Sequence, residues 1–328
     1  MPTRRLVKLA SAGILASAFA LGTSQPAAAA VWPGDVSSWY MDSVDPAVLF
    51  DMGCSLGTAR AGGSKPQDAL VILAFGQPQL RNGSYGTYAF QGRGFVTIAQ
   101  IRAAVIEYAH GFWQCTGANL NAHVRIAVGT SNFANWSKSA GLADAELTAF
   151  GKAWATLANN LNTDITAKGY QRQADVVGAA DIELGWGDYA SSKRWADAYD
   201  TVNSWPYYDF GDAAGCPPAG SCAPWTQDQV YNVAWGFSPA WAVPEIYLEN
   251  GVQADQWQRI SKRGVTQGKT KIVFAGTLTQ HGACLQGNAC NGTDNTAAEG
   301  WQQLWNETAA DPATAITNIR FSADIRFH

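Results

Sequence analysis

The chain has 328 residues, only 15% of them charged, 14 Trp, and a formal net charge of −4. Its 22 Lys and Arg form no block or stripe, which argues against a nucleic-acid partner. No apolar run after residue 30 is long enough to span a bilayer, so the mature chain is expected to have no membrane partner.

The first thirty residues have the make-up of a secretory signal. Arg4, Arg5 and Lys8 form a positive n-region, residues 9–21 are apolar, and Ala28-Ala29-Ala30 is a small-residue cleavage site ahead of Val31. Thr3-Arg4-Arg5 also fits a twin-arginine signal. Cleavage removes three positive charges and no acids, taking the net charge from −4 to −7. Residues 31–328 are expected to form one secreted, monomeric domain. All six cysteines lie in it, and an even count in an exported chain suggests disulfides. Nearest-neighbour pairing joins Cys216 to Cys222 and Cys284 to Cys290, leaving Cys54 for Cys115.

Along the chain, short apolar runs alternate with amphipathic ones. Runs 48–54, 69–76, 123–129, 175–184, 205–210, 241–248, 271–278 and 318–327 are rich in Val, Ile, Phe and Tyr and bounded by Gly, Pro or polar clusters, as strands are. Helical spacing appears over 96–112 (Ile98, Ile101, Val105, Tyr108), 143–166 (Leu147, Phe150, Trp154, Leu157, Leu161), 191–202, 227–235, 254–260 and 296–309 (Trp301, Leu304, Trp305). Asp144 and Ser191 are candidate N-caps. Eight strands alternating with helices point to an α/β fold, a (β/α)₈ TIM-type barrel. Its first crossover, 55–68, shows no helix, and a long insert, 77–94, follows the second strand. A doubly wound open sheet is the competing fold, but the Gly-rich phosphate turn it needs is absent.

In a barrel, function sits at the C-terminal ends of the strands. Those ends offer Asp51; Gln77 and Gln79; Thr130 and Asn132; Asp181, Glu183 and Trp186; Asp209 and Asp212; Glu245, Tyr247 and Glu249; Thr277, Thr279, Gln280 and His281; and Asp324. The strand 175–184 carries the sharpest signal. Residues two apart on a strand share a face, so Asp181 and Glu183 lie side by side. Paired carboxyls push one pKa up, which suits acid-assisted cleavage of a glycosidic bond. Acids, amides, Tyr and Trp together suit a polyhydroxylated substrate, whereas phosphate would want Arg, Lys and glycine amides. No P-loop, nicotinamide fingerprint, nucleophile elbow or histidine pair occurs, so neither a cofactor nor a metal is expected.

The Phe50-Asp51-Met52 and Asp181-Ile182-Glu183 segments resemble the layout of family-25 glycoside hydrolases, muramidases on a (β/α) barrel, and the Asp-x-Glu ending resembles family-18 chitinases. The resemblance implies a proton donor at Glu183, an Asp181 that orients or stabilises the substrate's N-acetyl group, and a supporting carboxylate at Asp51. Gly178, Ala179 and Ala180 stand where chitinases carry further Asp residues. The expected function is hydrolysis of a cell-wall or extracellular polysaccharide. Glu183 and Asp181 are catalytic, with Glu245 or Asp209 as second carboxylate. Asp51, Gln77, Asn132, Trp186, Tyr247 and Gln280 bind substrate. The competing readings are a barrel that binds glycan without chemistry, in which Arg or Lys locks Glu183, and an exported structural protein. Residue by residue, Glu245 competes with a loop cap, Asp209 and Asp212 with turn formers, Tyr247 with core filler, His281 with a surface residue, and Asp324 with a partner of Arg320 or Arg326.

Overall fold

The computed structural model describes residues 31–64, 67–117, 119–133, 142–216, 222, 224–236, 238 and 240–328. In chain order the strands are β1 (Val36–Tyr40), β2 (Gln67–Ala74), β3 (Gln77–Arg81), β4 (Ser84–Ala89), β5 (Gly94–Thr97), β6 (Ala122–Ser131), β7 (Ala174–Asp181), β8 (Tyr207–Asp209), β9 (Ala240–Ala242), β10 (Gly276–Thr279) and β11 (Phe321–Phe327). The helices are α1 (Pro46–Arg60), α2 (Ile98–Cys115), α3 (Asp144–Lys168), α4 (Tyr189–Asp200), α5 (Gln227–Tyr231), α6 (Val252–Thr266), α7 (His281–Gly287) and α8 (Ala297–Ala309).

Eight strands form one parallel sheet in the order β10-β11-β1-β2-β6-β7-β8-β9. Its two edges meet. Ala275 N donates to Ala242 O at 2.9 Å, Leu278 N to Pro244 O at 2.9 Å, and Ile246 N to Leu278 O at 2.9 Å. The ring is a (β/α)₈ barrel. Its interior is filled by Leu70, Ile72, Ala127, Val177, Ala179, Tyr208, Phe210, Val243, Ala275, Phe321, Ala323 and Ile325, among others. Neighbouring residues such as Leu73 and Val176 are equally buried on the outer face, because helices cover it. That two-sided burial is why these strands read as unbroken apolar runs. Phe210 fills the centre against Gly129, where an added Cβ would lie 2.9 Å from the ring. The insert after β2 is a three-stranded antiparallel sheet, β3-β4-β5.

The first strand is not where the apolar pattern put it. Segment 48–54 lies in α1, and the crossover thought to lack a helix holds one. Asp45 caps that helix, its Oδ1 accepting from Ala47 N at 2.9 Å, and Pro46 occupies the first turn, where a missing N–H costs nothing. The true first strand, Val36–Tyr40, carries two serines and so lacked an apolar signature. Ser38 is nevertheless fully buried, its Oγ accepting from Ile72 N at 2.9 Å. Two N-caps also move by a few residues. Ala143 precedes α3, with Glu146 Oε2 accepting from its N–H, and Asp188 caps α4 by accepting from Ser191 N. Helix α7, unseen in the sequence, follows β10.

Helices α1 and α2 pack backbone to backbone. A Cβ on Gly53 would lie 2.0 Å from Tyr108 O, and one on Gly111 2.1 Å from Phe50 O. The Cys54–Cys115 disulfide ties the same pair, and Cys216–Cys222 and Cys284–Cys290 complete the expected set. The first spans 61 residues and the others 6 each. Chain entropy assigns about 4 kcal/mol to the long loop and about 2 kcal/mol to each short one. The Cys54→Ser, Cys115→Ser double variant is therefore expected to lower the melting temperature more than removal of either short loop, measured by thermal unfolding with the other bridges intact.

Candidate active site

Strand β7 turns Val177 and Ala179 into the barrel. Alternation then turns Asp181 the same way at the strand's C-terminal end, with Glu183 just beyond. Past the end of β9 the chain stays extended through Val243, another interior residue, and Glu245 bridges to Leu278, so Glu245 and Tyr247 share the Val243 face. The result is convergence. One carboxylate oxygen each from Asp181, Glu183 and Glu245 all lie within 4.8 Å of one another. Asp181 and Glu245 are buried, at 4% and 3% exposed, and Glu183 is partly open.

Backbone contacts hold the three in place. Asn132, at the end of β6, continues the β6–β7 ladder with its side chain. Its Nδ2 donates to Glu183 O at 2.9 Å, its Oδ1 accepts from Glu183 N at 3.0 Å, and its own N–H donates to Asp181 O at 2.9 Å. Its amide thus positions Glu183, and the same residue lines a cavity as well. Gly211 packs against the Ile182 backbone, where a Cβ would sit 2.2 Å from Ile182 O. Tyr247 donates its hydroxyl to Glu245 Oε1 at 2.5 Å, and Gln253 Oε1 fixes Tyr247 by accepting from its backbone N–H at 2.5 Å.

Burial sets the electrostatics. It pushes the Glu183 carboxyl up to about 8, with Asp212 adding to the rise. Asp181 is held well above the usual carboxylate range by burial first, then by Glu183, Asp212 and Asp209. Glu245 is likewise raised by burial and by Asp181 and Glu183, while the Tyr247 hydrogen bond pulls the other way. Among the described residues no Lys, Arg or His forms an ion pair with Asp181, Glu183, Asp209, Asp212 or Glu245. A cluster so placed holds protons at neutral pH and titrates as a unit. Its donors are all oxygen, which suits a hard divalent cation better than zinc, and such a cation would compete with those protons.

A cleft of about 130 Å³ opens on Asp181, walled by Gln77, Tyr88, Phe90, Ser131, Phe133 and Trp186. Gln77 is 3% exposed, and neither of its amide atoms has a hydrogen-bond partner among the described residues. Gln77, Ser131, Phe133 and Trp186 also wall a neighbouring cavity of about 340 Å³.

Other expected residues lie elsewhere. Asp51 is exposed on α1 and cannot support the cluster, because the strand it was assigned to is a helix. Asp209 faces away. Tyr208 and Phe210 point inward, so Asp209 is turned toward the helices, where it accepts from Gly211 N at 3.2 Å and burial raises its carboxyl to about 7. Asp212 is a turn former as read, its Oδ1 accepting from Ala214 N at 3.1 Å, and its charge also acts on all three clustered carboxyls. Gln280 precedes α7 and lies on neither cavity wall. His281 bonds Asp294 O through Nδ1 at 2.9 Å, and Asp324 accepts from Thr279 Oγ1 at 2.9 Å and pairs with Arg326. The residue sequence reasoning missed is Tyr40. It ends β1, its hydroxyl lies 3.5 Å from that of Tyr247, and burial and Glu245 hold its pKa high.

No family model and no curated protein matches the chain. Among solved structures, the apo homocysteine methyltransferase MmuM from Escherichia coli shares 12% identity over 80% of this chain and 86% of its own, at a TM-score of 0.42. A GH113 beta-1,4-mannanase solved as a complex shares 13% identity over 75% of this chain and 87% of its own, at a TM-score of 0.24. Likenesses this distant carry no argument about activity.

Proposed function

We propose that the protein is an exported glycoside hydrolase acting on cell-wall or extracellular glycans. Glu183 donates the proton to the glycosidic oxygen, and Glu245 is the second carboxylate. The observation that carries this reading is the convergence of three carboxyl oxygens within 4.8 Å beside an aromatic-walled cleft, with no ion pair to them among the described residues. Glu183 is the partly open member, raised to about 8, and so is protonated at neutral pH. Burial and the neighbouring acids raise Glu245 as well, and the Tyr247 hydroxyl is the contact that favours its ionised form. Asp212 adds the neighbouring charge that keeps the Glu183 proton in place, and Asp181 stands beside it with an Oδ1 that has no partner among the described residues. A spacing this short leaves no room for the water an inverting enzyme seats between its carboxyls, so retention at the anomeric carbon is expected. Glu245 then attacks that carbon directly, or Asp181 steers an N-acetyl group of the substrate to do so, as the family-18 and family-25 resemblance implies. Glu183 returns as base to activate water for the second step.

A glycan-binding barrel without chemistry would have Glu183 clamped by a guanidinium or ammonium. The absence of an ion pair there among the described residues favours the hydrolase. Reducing-end release from a polysaccharide panel, wild type against Glu183→Gln, separates the two. Equal release by both proteins removes Glu183 from the chemistry, and binding without release supports the non-catalytic barrel. The pH profile supplies a second check. Glu183 loses its proton as pH rises through about 8, so kcat should fall about tenfold per pH unit above that point. A rate flat to pH 10 or so would overturn the acid assignment. Three disulfides support export, and the mature protein is expected to begin at Val31 on N-terminal sequencing.

A further inference from the structure

The larger cavity beside the carboxylate cleft has walls unsuited to a sugar. It measures about 340 Å³, a small-molecule size, and lies between the ends of β6 and β7 and helices α3 and α4. Leu142, Leu147, Ile182, Leu184 and Trp195 are among its apolar walls, together with the Phe133 and Trp186 it shares with the cleft. Its polar side chains are almost all engaged with the protein itself. Thr130 Oγ1 donates to Gly76 O at 3.0 Å, and Asn132 is bound to the Glu183 backbone. Asp188 accepts from Ser191 N at 2.9 Å and Ser191 Oγ at 2.8 Å, and Ser192 Oγ donates to Asp188 O at 3.1 Å. A pyranose ring entering this space would surrender water at each hydroxyl and find few partners in exchange. An alkyl or aryl group surrenders nothing and gains the burial of its surface.

Two groups stand apart. Among the described residues Trp195 Nε1 has no hydrogen-bond partner, and neither has either amide atom of Gln77. Gln77 walls both the cavity and the cleft that opens on Asp181. Its unengaged amide therefore stands where the two spaces adjoin, and there an apolar group would be joined to a sugar held over the carboxylates.

We infer that the substrate is a glycoconjugate with an apolar leaving group, an alkyl or aryl aglycone seated in the cavity walled by Leu142, Leu147, Leu184 and Trp195 and joined to its sugar beside Gln77. This rests on the glycosidase reading and narrows it from glycans in general. The bond broken is that between the anomeric carbon and the aglycone oxygen. The departing alcohol takes the Glu183 proton, and water supplies the hydroxyl left on the sugar.

Direct binding tests the inference apart from turnover. Isothermal titration compares n-octyl β-D-glucopyranoside, below its micellar concentration, with methyl β-D-glucopyranoside. The octyl compound is expected to bind at least tenfold more tightly, to wild type and to Glu183→Gln alike. Leu147→Arg places a charge on the cavity wall and should abolish that preference. Leu142→Arg does the same from the chain preceding α3, and thermal unfolding shows that each variant is folded. Equal binding of the two glucosides by wild type overturns the inference without recourse to any variant, as does an octyl preference that survives a folded Leu147→Arg or Leu142→Arg. Should the octyl preference hold while no glycoside is turned over, the hydrolase reading fails and the apolar site stands.

Discussion

Glu183→Gln is expected to lower turnover about 10³-fold and, in the same protein, to raise the melting temperature. The loss follows from removing the proton donor, since a positioned general acid contributes about 10²–10⁴-fold. The gain follows from linkage. Folding moves the Glu183 carboxyl from its ordinary 4.5 to about 8, so between those values the folded state binds a proton that the unfolded state has released. Stability therefore falls as pH rises through that window, and above about pH 8 the full cost is present. Gln carries no charge at any pH and avoids it. The stabilisation should be small near pH 5 and grow to the order of 1–3 kcal/mol near pH 9, or about 2–4 °C per kcal/mol. Thermal unfolding of both proteins across that range checks the sign. A variant less stable than wild type throughout would mean that the carboxylate makes a net-favourable structural contact and is not held at a cost for chemistry.

The parts of this site that were legible in the sequence are those where a local period fixes a direction. Asp181 and Glu183 are two apart at the end of an apolar run, and a strand converts that spacing into a shared face. Glu245 and Tyr247 follow the same rule past Val243. Asp209 obeys it too, but a strand as short as β8 does not reveal which of its faces is inward until Tyr208 and Phe210 are seen inside the barrel. What stayed hidden depends on contacts between distant segments. The polar strand β1 is stabilised where Ser38 meets Ile72, so Tyr40 went unnoticed and the apolar helix α1 took its place, bringing Asp51 with it. Asn132 reads as a binding amide, and its positioning role shows only when Glu183 is found with both its backbone groups on that side chain. Paired disulfides at close spacing were legible because a loop of 6 residues brings its ends together almost without choice.

At the opposite end of the barrel, Arg125→Met should cost about 3–5 kcal/mol of stability and leave turnover within about twofold. Arg125 is near the start of β6, and its Nε and Nη2 each donate to an Asp175 oxygen at 2.7 Å. Its Nη1 donates to the Tyr208 hydroxyl at 2.9 Å. The pair is largely buried, at 25% and 15% side-chain exposure, so removing the cation strands a carboxylate and a hydroxyl beneath the barrel core. His123 Nε2 lies 3.6 Å from Asp175 Oδ2 and is the available substitute. Burial holds that imidazole below its ordinary value, and Arg125 pushes it lower still. Without Arg125 the imidazole gains affinity for a proton and can pair with Asp175. A histidine raised in this way adds stability at low pH and loses it as pH climbs through its folded value. The deficit of Arg125→Met should therefore be smaller at pH 5 than at pH 8, so that with rising pH this variant falls further below wild type while Glu183→Gln climbs further above it. The two ends of one barrel then separate, with the Asp181, Glu183 and Glu245 cluster free of ion pairs among the described residues at the strand C-termini and Asp175 kept paired at the N-termini, where barrels keep their structural contacts. An Arg125→Met protein that melted like wild type but lost turnover would place chemistry at the wrong end of the strands and undo the assignment of the Glu183 end as the active face.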